Sequence, residues 1–216
     1  MKTQAIIFDL DGTLLNTLKD LTNAVNEALC SQGLPERSIE EVRNFVGNGI
    51  VKLMERASGW ERTADTFDDM MRVFRKFYGE HCEDNTVPYA GIVELLETLK
   101  NKKIKTAVVS NKADFAVREL IPVYFGEMID VAHGENEAGG IRKKPSPDMV
   151  LQTIQELDCP SEQVIYVGDS DVDVQTAKNA GITCVGVSWG FRGREFLEKN
   201  GAEYVIDNPQ EVLKFL

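Results

Sequence analysis

The sequence predicts an α/β fold, a parallel sheet whose strands alternate with helices and which is interrupted once by an α-helical insert. Three observations carry that expectation. Short, nearly all-apolar β-branched runs recur along the chain, as strands buried on both faces of a parallel sheet require. Helical patterns with recognisable caps lie between them. One stretch, from about Leu18 to Asp84, holds helical patterns and no convincing strand.

The predicted strands are "AIIF" (5–8), "IKTAVVS" (104–110), "MIDVAH" (128–133), "QVIYVGD" (163–169), "TCVGVS" (183–188) and "EYVI" (203–206). In "SPDMVLQTIQEL", Ser146 is the expected N-cap, with Pro147 at the first helical position and Asp148 in the first turn. "VQTAKNAG" ends on Gly181, which can take the left-handed conformation of a helix C-cap. The insert carries helical patterns such as "LTNAVNEALCSQG", "SIEEVRNFVGNG", "IVKLMERASG" and "FDDMMRVFRKFYGEHCE". Ser38 and Glu41 form a capping box, and Gly33, Gly47, Gly49 and Gly59 mark turns. The expected division assigns 1–16 and 86–216 to the core and 17–85 to the insert.

Composition excludes several classes. The chain has 216 residues, 43% of them hydrophobic, enough to build a core and too apolar for a disordered chain. Its net charge of −11 is spread without an acidic tail, and no Lys/Arg cluster offers a stripe for nucleic acid. Cys30, Cys82, Cys159 and Cys184 are widely spaced with no C-x-x-C, which reads as buried thiols in a reducing compartment. The apolar run Ala5–Phe8 is cut short by Asp9, unlike a signal peptide, and nothing reaches membrane-spanning length. A soluble cytoplasmic protein is expected, with no membrane partner. No feature marks an interface, so the default is a monomer, with a dimer as the alternative.

Three predicted strands end on polar residues foreign to their interiors: Asp9 and Asp11 after the first, Ser110 and Asn111 after the second, Asp169, Asp171 and Asp173 after the fourth. In parallel sheets ligands bind at the carboxyl ends of strands, so these groups are expected to share one crevice. Carboxylates brought together at low dielectric repel one another, and hard oxygen ligands with room for water favour Mg²⁺. A metal beside a hydroxyl/amide pair suits a phosphate, and "IRKKPSPD" brings Lys143 or Lys144 ahead of a helix N-terminus, which itself favours anions.

These motifs, in this order and over nearly the whole length, resemble the haloacid dehalogenase-like hydrolase superfamily. The matching elements are "DLDGTLLNT", Ser110, Lys144 before Pro145, and "GDSDVD" with Asp169 and Asp173. Within it the chain is similar to phosphoglycolate phosphatase-like enzymes, through "NTLKDL", "VRNFVGNG", "PYAGIVELLETLK" and "VSWGFRG". The resemblance implies a Rossmann-like parallel-sheet core with the insert as an α-helical cap domain. It implies a Mg²⁺-dependent phosphatase acting on a small phosphorylated metabolite, phosphoglycolate first, through an aspartyl-phosphate. Asp9 would be the nucleophile. Asp11 would be the acid that protonates the leaving alcohol and the base that then activates water. Only an ester with a poor leaving group needs that acid. The implied metal ligands are Asp9, the Asp11 carbonyl and Asp169, with Asp173 orienting waters. Ser110, Asn111, Lys144 and the amides after Asp9 would hold the phosphoryl oxygens. Gly12 lets the backbone approach the phosphate, Thr13 is a helper, and Gly47-Asn48-Gly49 becomes a substrate-facing cap loop.

Bland readings stand beside these. Asp-Gly alone is a common turn, Ser110-Asn111 alone a helix cap, and Lys143-Lys144 alone a solvated pair. Asp171 reads as a solvent-facing acid at a helix start. His81 and His133 are assigned nothing, Trp60 and Trp189 read as packing residues, and Arg43 and Arg192 as surface arginines. The alternative activities are sugar phosphomutase, pyrophosphatase and, more distantly, dehalogenase. The resemblance disfavours the first, since mutase relatives carry a histidine shortly after the first motif that "NTLKDL" lacks, and the last, since dehalogenase relatives lack the second aspartate, here Asp11. A catalytically idle scaffold is the alternative from another class.

Overall fold

The computed structural model describes residues 2–63, 66–136 and 139–216. It divides into two compact units, one made of Met1–Leu15 with Pro88–Leu216 and the other of Asn16–Val87. The first is built on a six-stranded sheet of β1 (Ala5–Phe8), β4 (Lys105–Ala113), β5 (Val131–Glu135), β6 (Val164–Gly168), β7 (Thr183–Val187) and β8 (Tyr204–Ile206). Its strand order is β5-β4-β1-β6-β7-β8 and every pairing is parallel. The predicted α/β class with a parallel sheet holds, and all six predicted strands are present. The two-residue strands β2 (Leu15–Asn16) and β3 (Val87–Pro88), too short to leave a periodic signal, form a separate two-stranded sheet.

The core follows from strand alternation. Ala5, Ile7, Ala107, Val109, Val164 and Tyr166 point to one face, where Met149, Val150 and Ile154 of α7 (Asp148–Glu156) and Ala177 of α8 (Asp171–Ala180) cover them. Among the described residues, the other α-helices of this unit are α5 (Ile92–Asn101), α6 (Asp114–Phe125) and α9 (Arg194–Lys199). Gly181 caps α8 in the left-handed conformation as expected, at φ 71°.

Some boundaries differ from expectation. The fourth strand runs three residues past Ser110 to Ala113, with a register shift against β5 between Val109 and Ala113. The expected strand at 128–133 begins only at Val131, because Gly126–Met128 forms a 3₁₀ turn. Ser146 does not cap α7: Pro147 holds the N-cap position, and Ser146 Oγ donates instead to Asp148 Oδ1 at 2.8 Å. The Arg142 guanidinium pairs with the same carboxylate and fastens the preceding loop.

The helical unit comprises α1 (Leu18–Cys30), α2 (Ile39–Phe45), α3 (Ile50–Ser58) and α4 (Phe67–His81). The apolar stripe of α4, Phe67, Met70, Met71, Phe74 and Tyr78, is buried, and so is that of α1. The Ser38–Glu41 capping box forms in full. Asp20, 1% exposed, ties the start of α1 to the returning chain: its carboxylate accepts from Asn85 N and Nδ2 and from Thr86 N and Oγ1, all between 2.7 and 3.1 Å. Removing it leaves several buried donors without a partner. We expect Asp20→Ala to destabilise the protein by ~2–4 kcal/mol in urea unfolding, with Asp20→Asn recovering part of the loss.

Candidate active site

Because the sheet is parallel, its strands present their carboxyl ends to one edge. The register sets Phe8 beside Val108 and Val167, so the residues that follow leave the sheet together: Asp9 after β1, Ser110 and Asn111 in β4, Asp169 after β6. Oxygens of Asp9, Asp169 and Asp173 lie within 4.8 Å of one another, and all three residues are buried. Lys144 Nζ supplies the counter-charge, 2.9 Å from Asp9 Oδ1 and 2.7 Å from Asp173 Oδ1. It also donates to Tyr166 Oη at 3.0 Å. The rest of Tyr166 belongs to the apolar core, so that its ring packs while its hydroxyl serves the site.

Three glycines allow this crowding. A Cβ on Gly12, whose φ is 85°, would stand 2.4 Å from Asp169 Oδ2. One on Gly190 would stand 2.4 Å from the Gly12 carbonyl oxygen, and one on Gly168 would strike Asp173. Only hydrogens fit between these backbones and the carboxylates.

The other expected residues divide by what they touch. Asp173 spends Oδ1 on Lys144 and Tyr166, and Oδ2 on the N–H and hydroxyl of Ser170, its capping-box partner at the start of α8. Asp169 Oδ2 accepts from Phe191 N at 2.6 Å. Asn111 exchanges two hydrogen bonds with the Lys144 backbone, Nδ2 to O at 3.0 Å and N to Oδ1 at 2.8 Å, so its side chain holds the lysine in place. Ser110 is 2% exposed, and its Oγ accepts from Lys112 N at 3.3 Å. The Asp11 carboxylate lies outside the acid cluster and pairs with Lys112 Nζ at 3.0 Å. Thr13 is fully buried with its hydroxyl unpartnered, while its carbonyl accepts from Trp189 Nε1 at 3.0 Å. Trp189, expected only to pack, thus tethers the loop that carries Gly190 and Phe191. Gly47 and Asn48 lie in the helical unit between α2 and α3, where Arg56 Nη2 donates to Asn48 Oδ1 at 2.8 Å.

Sequence reasoning missed Lys112, Tyr166 and Ser170. A tyrosine hydroxyl inside the apolar strand "VIYVG", a lysine in "SNK" and the S-x-x-D spacing of "SDVD" were the available signals. His81 pairs with Asp84 and His133 with Glu156.

Burial raises the Asp9 carboxyl to about 6 against the opposing pull of Lys144. Asp169 is driven well above the carboxylate range, first by burial and then by Asp173 and Asp9. Burial alone would lower Lys144, but the Asp173 and Asp9 carboxylates outweigh it and hold the ammonium above its ordinary range. The donor set is all carboxylate, with no sulfur or imidazole, and its charge is under-compensated by one ammonium. Both facts fit a small hard divalent cation such as Mg²⁺.

A family model described as haloacid dehalogenase-like hydrolase matches residues 6–187. This chain belongs to that family. Among the hydrolase's relatives is the phosphoglycolate phosphatase of Aquifex aeolicus, 33% identical over 99% of this chain and 96% of its own. The phosphoglycolate phosphatase of Pseudomonas syringae pv. syringae is 34% identical over 96% of this chain and 78% of its own. A solved structure of a provisionally named phosphoglycolate phosphatase from Lactobacillus delbrueckii subsp. bulgaricus superposes with a TM-score of 0.91, at 36% identity over 98% and 97% of the two chains. CbbY from Rhodobacter sphaeroides, solved with phosphate, gives 0.78 at 26% identity, over 97% and 96%. The expected family, fold class and phosphoric monoester hydrolase class are borne out. No helix among the described residues is long and apolar enough to cross a membrane.

Asp9 binds its proton more tightly folded, near 6, than at the ordinary 3.8, so ionising it opposes folding above about pH 6 and that penalty fades as pH falls. Asp169 acts in the same sense. Thermal unfolding in chelator should therefore show stability rising from pH 7 to pH 5. Asp169→Asn should raise the pH 7 midpoint by a few degrees and flatten the profile, a kcal/mol being worth about 2–4 °C at this size.

Proposed function

We propose that this hydrolase is a Mg²⁺-dependent phosphatase of a small phosphorylated metabolite, phosphoglycolate first, working through an aspartyl-phosphate. The observation that carries the reading is that the paired aspartates part company. Asp9 faces the acid cluster and Lys144, whereas Asp11, two residues on, has its own lysine. Two carboxylates in different surroundings suit two roles.

In this reading Asp9 attacks phosphorus, and the ester P–O bond breaks as Asp11 protonates the leaving oxygen. Asp11 then takes a proton from the water that hydrolyses the aspartyl-phosphate. Lys144 neutralises phosphoryl oxygens and holds Asp9 ionised and aimed, with Asn111 and Tyr166 fixing the lysine. The Ser110 hydroxyl and the orphan Thr13 hydroxyl are donors to the phosphoryl group, and Gly12 leaves the backbone open to it. Asp9, the Asp11 carbonyl and Asp169 would hold Mg²⁺, with Asp173 acting on Lys144. The bound ion would supply charge compensation for the carboxylates and the phosphate. The helical unit of 16–87 would serve as the cap that selects substrates, with Gly47 and Asn48 in its reading loop. The names of the curated relatives support phosphoglycolate as the first substrate to try.

Phosphate release from phosphoglycolate, sugar phosphates, pyrophosphate and an aryl phosphate tests the reading. We expect release with Mg²⁺, none in chelator, phosphoglycolate leading on kcat/KM, and a loss of at least about 10⁴-fold in Asp9→Asn with the fold retained. Activity persisting in Asp9→Asn would overturn the nucleophile. Isomerisation of a hexose phosphate without net release would move the assignment to a mutase, and no turnover at all to a scaffold.

A further inference from the structure

The proposed acid is held by a residue that no motif predicts. Lys112 Nζ donates to both oxygens of Asp11, at 3.0 Å to Oδ1 and 3.3 Å to Oδ2. The lysine side chain is only 2% exposed and the aspartate side chain 13%. An ammonium so buried is costly unless charge answers it, and here Asp11 supplies such a charge. Its backbone is equally constrained. Lys112 N donates to Ser110 Oγ, the β4 register shifts across this stretch, and a Cβ on neighbouring Gly134 would come within 2.8 Å of the Lys112 carbonyl oxygen. Consecutive residues thus divide the work: Asn111 fixes the lysine that faces Asp9, and Lys112 fixes Asp11.

We propose that Lys112 is a positioning residue for Asp11, orienting its carboxylate for proton transfer to the leaving oxygen. The proposal rests on the reading of Asp11 as general acid. A general acid acts only within about 2.6–3.2 Å of the oxygen it protonates, and a misplacement of about 1 Å can cost about 10²-fold. As the ester bond breaks, its electron pair goes to the leaving oxygen. An alkoxide needs the Asp11 proton, whereas 4-nitrophenolate departs without one. Loss of Lys112 should therefore be felt by alkyl esters and hardly by aryl esters, a split that general damage to the fold does not produce.

The experiment uses the full chain with Mg²⁺ and enzyme in excess, so that release of the leaving group reports the first step alone. The substrates are 4-nitrophenyl phosphate and the alkyl ester that the wild type hydrolyses fastest. Lys112→Met should slow alkyl release by about 10²-fold or more and aryl release by less than about tenfold, with Asp11→Asn showing the same split. Lys112→Arg should recover most of the alkyl rate. If Lys112→Met does not fold, Lys112→Gln, whose amide can still donate to Asp11, should show the split at smaller amplitude. Equal losses on both substrates, or none on either, would overturn the proposal. Asp9→Asn separates the two levels: release from that variant would overturn the aspartyl-phosphate mechanism on which the role of Asp11 rests, while its silence beside equal losses in Lys112→Met overturns only the role of Lys112.

Discussion

Three buried carboxylates share one ammonium at the centre of this protein, and much of the surrounding structure exists to keep them together. Lys144 stands within 3 Å of Asp9 and Asp173, and Asp169 completes the group. With Asp11 and Lys112 alongside, four carboxylates face two ammoniums, an excess of two negative charges when all are ionised. At interior dielectric such an excess is unfavourable, and Asp9 and Asp169 register it by holding their protons more tightly. A divalent cation has the charge that would balance it.

The fold meets this constraint with backbone geometry. A parallel sheet collects strand ends from distant parts of the chain at one edge, and glycine at 12, 168 and 190 removes the side chains that would keep the carboxylates apart. The partners of the charged groups come from the same edge: Asn111 for the Lys144 backbone, Ser170 for Asp173, Phe191 N for Asp169. Tyr166 links this polar layer to the apolar one beneath it, since its ring lies in the core and its hydroxyl bridges Lys144 and Asp173. The apolar core is thereby joined to the charged cluster.

Much of this was legible in the sequence. Apolar strands ending in acids announce themselves, because Asp9 or Asp169 after four or five buried residues has no role in packing. The strand-by-strand reading held because two-sided burial leaves a continuous apolar run. What escaped notice depends on partners far along the chain. Lys112 and Asp11 are 101 positions apart, and the lysine of "SNK" does not by itself name its partner. Tyr166 passed for a core residue since most of it is one. Asn111 was read as facing a ligand, whereas its amide matches the Lys144 backbone, a pairing that only the folded register creates. Ser146 had the right spacing for a cap but an adjacent carboxylate competes for its hydroxyl.

If the carboxylate cluster is built around a divalent cation, calorimetric titration of the metal-free protein with Mg²⁺ at neutral pH should distinguish the wild type from Asp169→Asn. We expect one Mg²⁺ per chain in the wild type and loss of that binding in the variant, with the fold of the variant unchanged. Equal binding by both proteins, or none by the wild type, would contradict it.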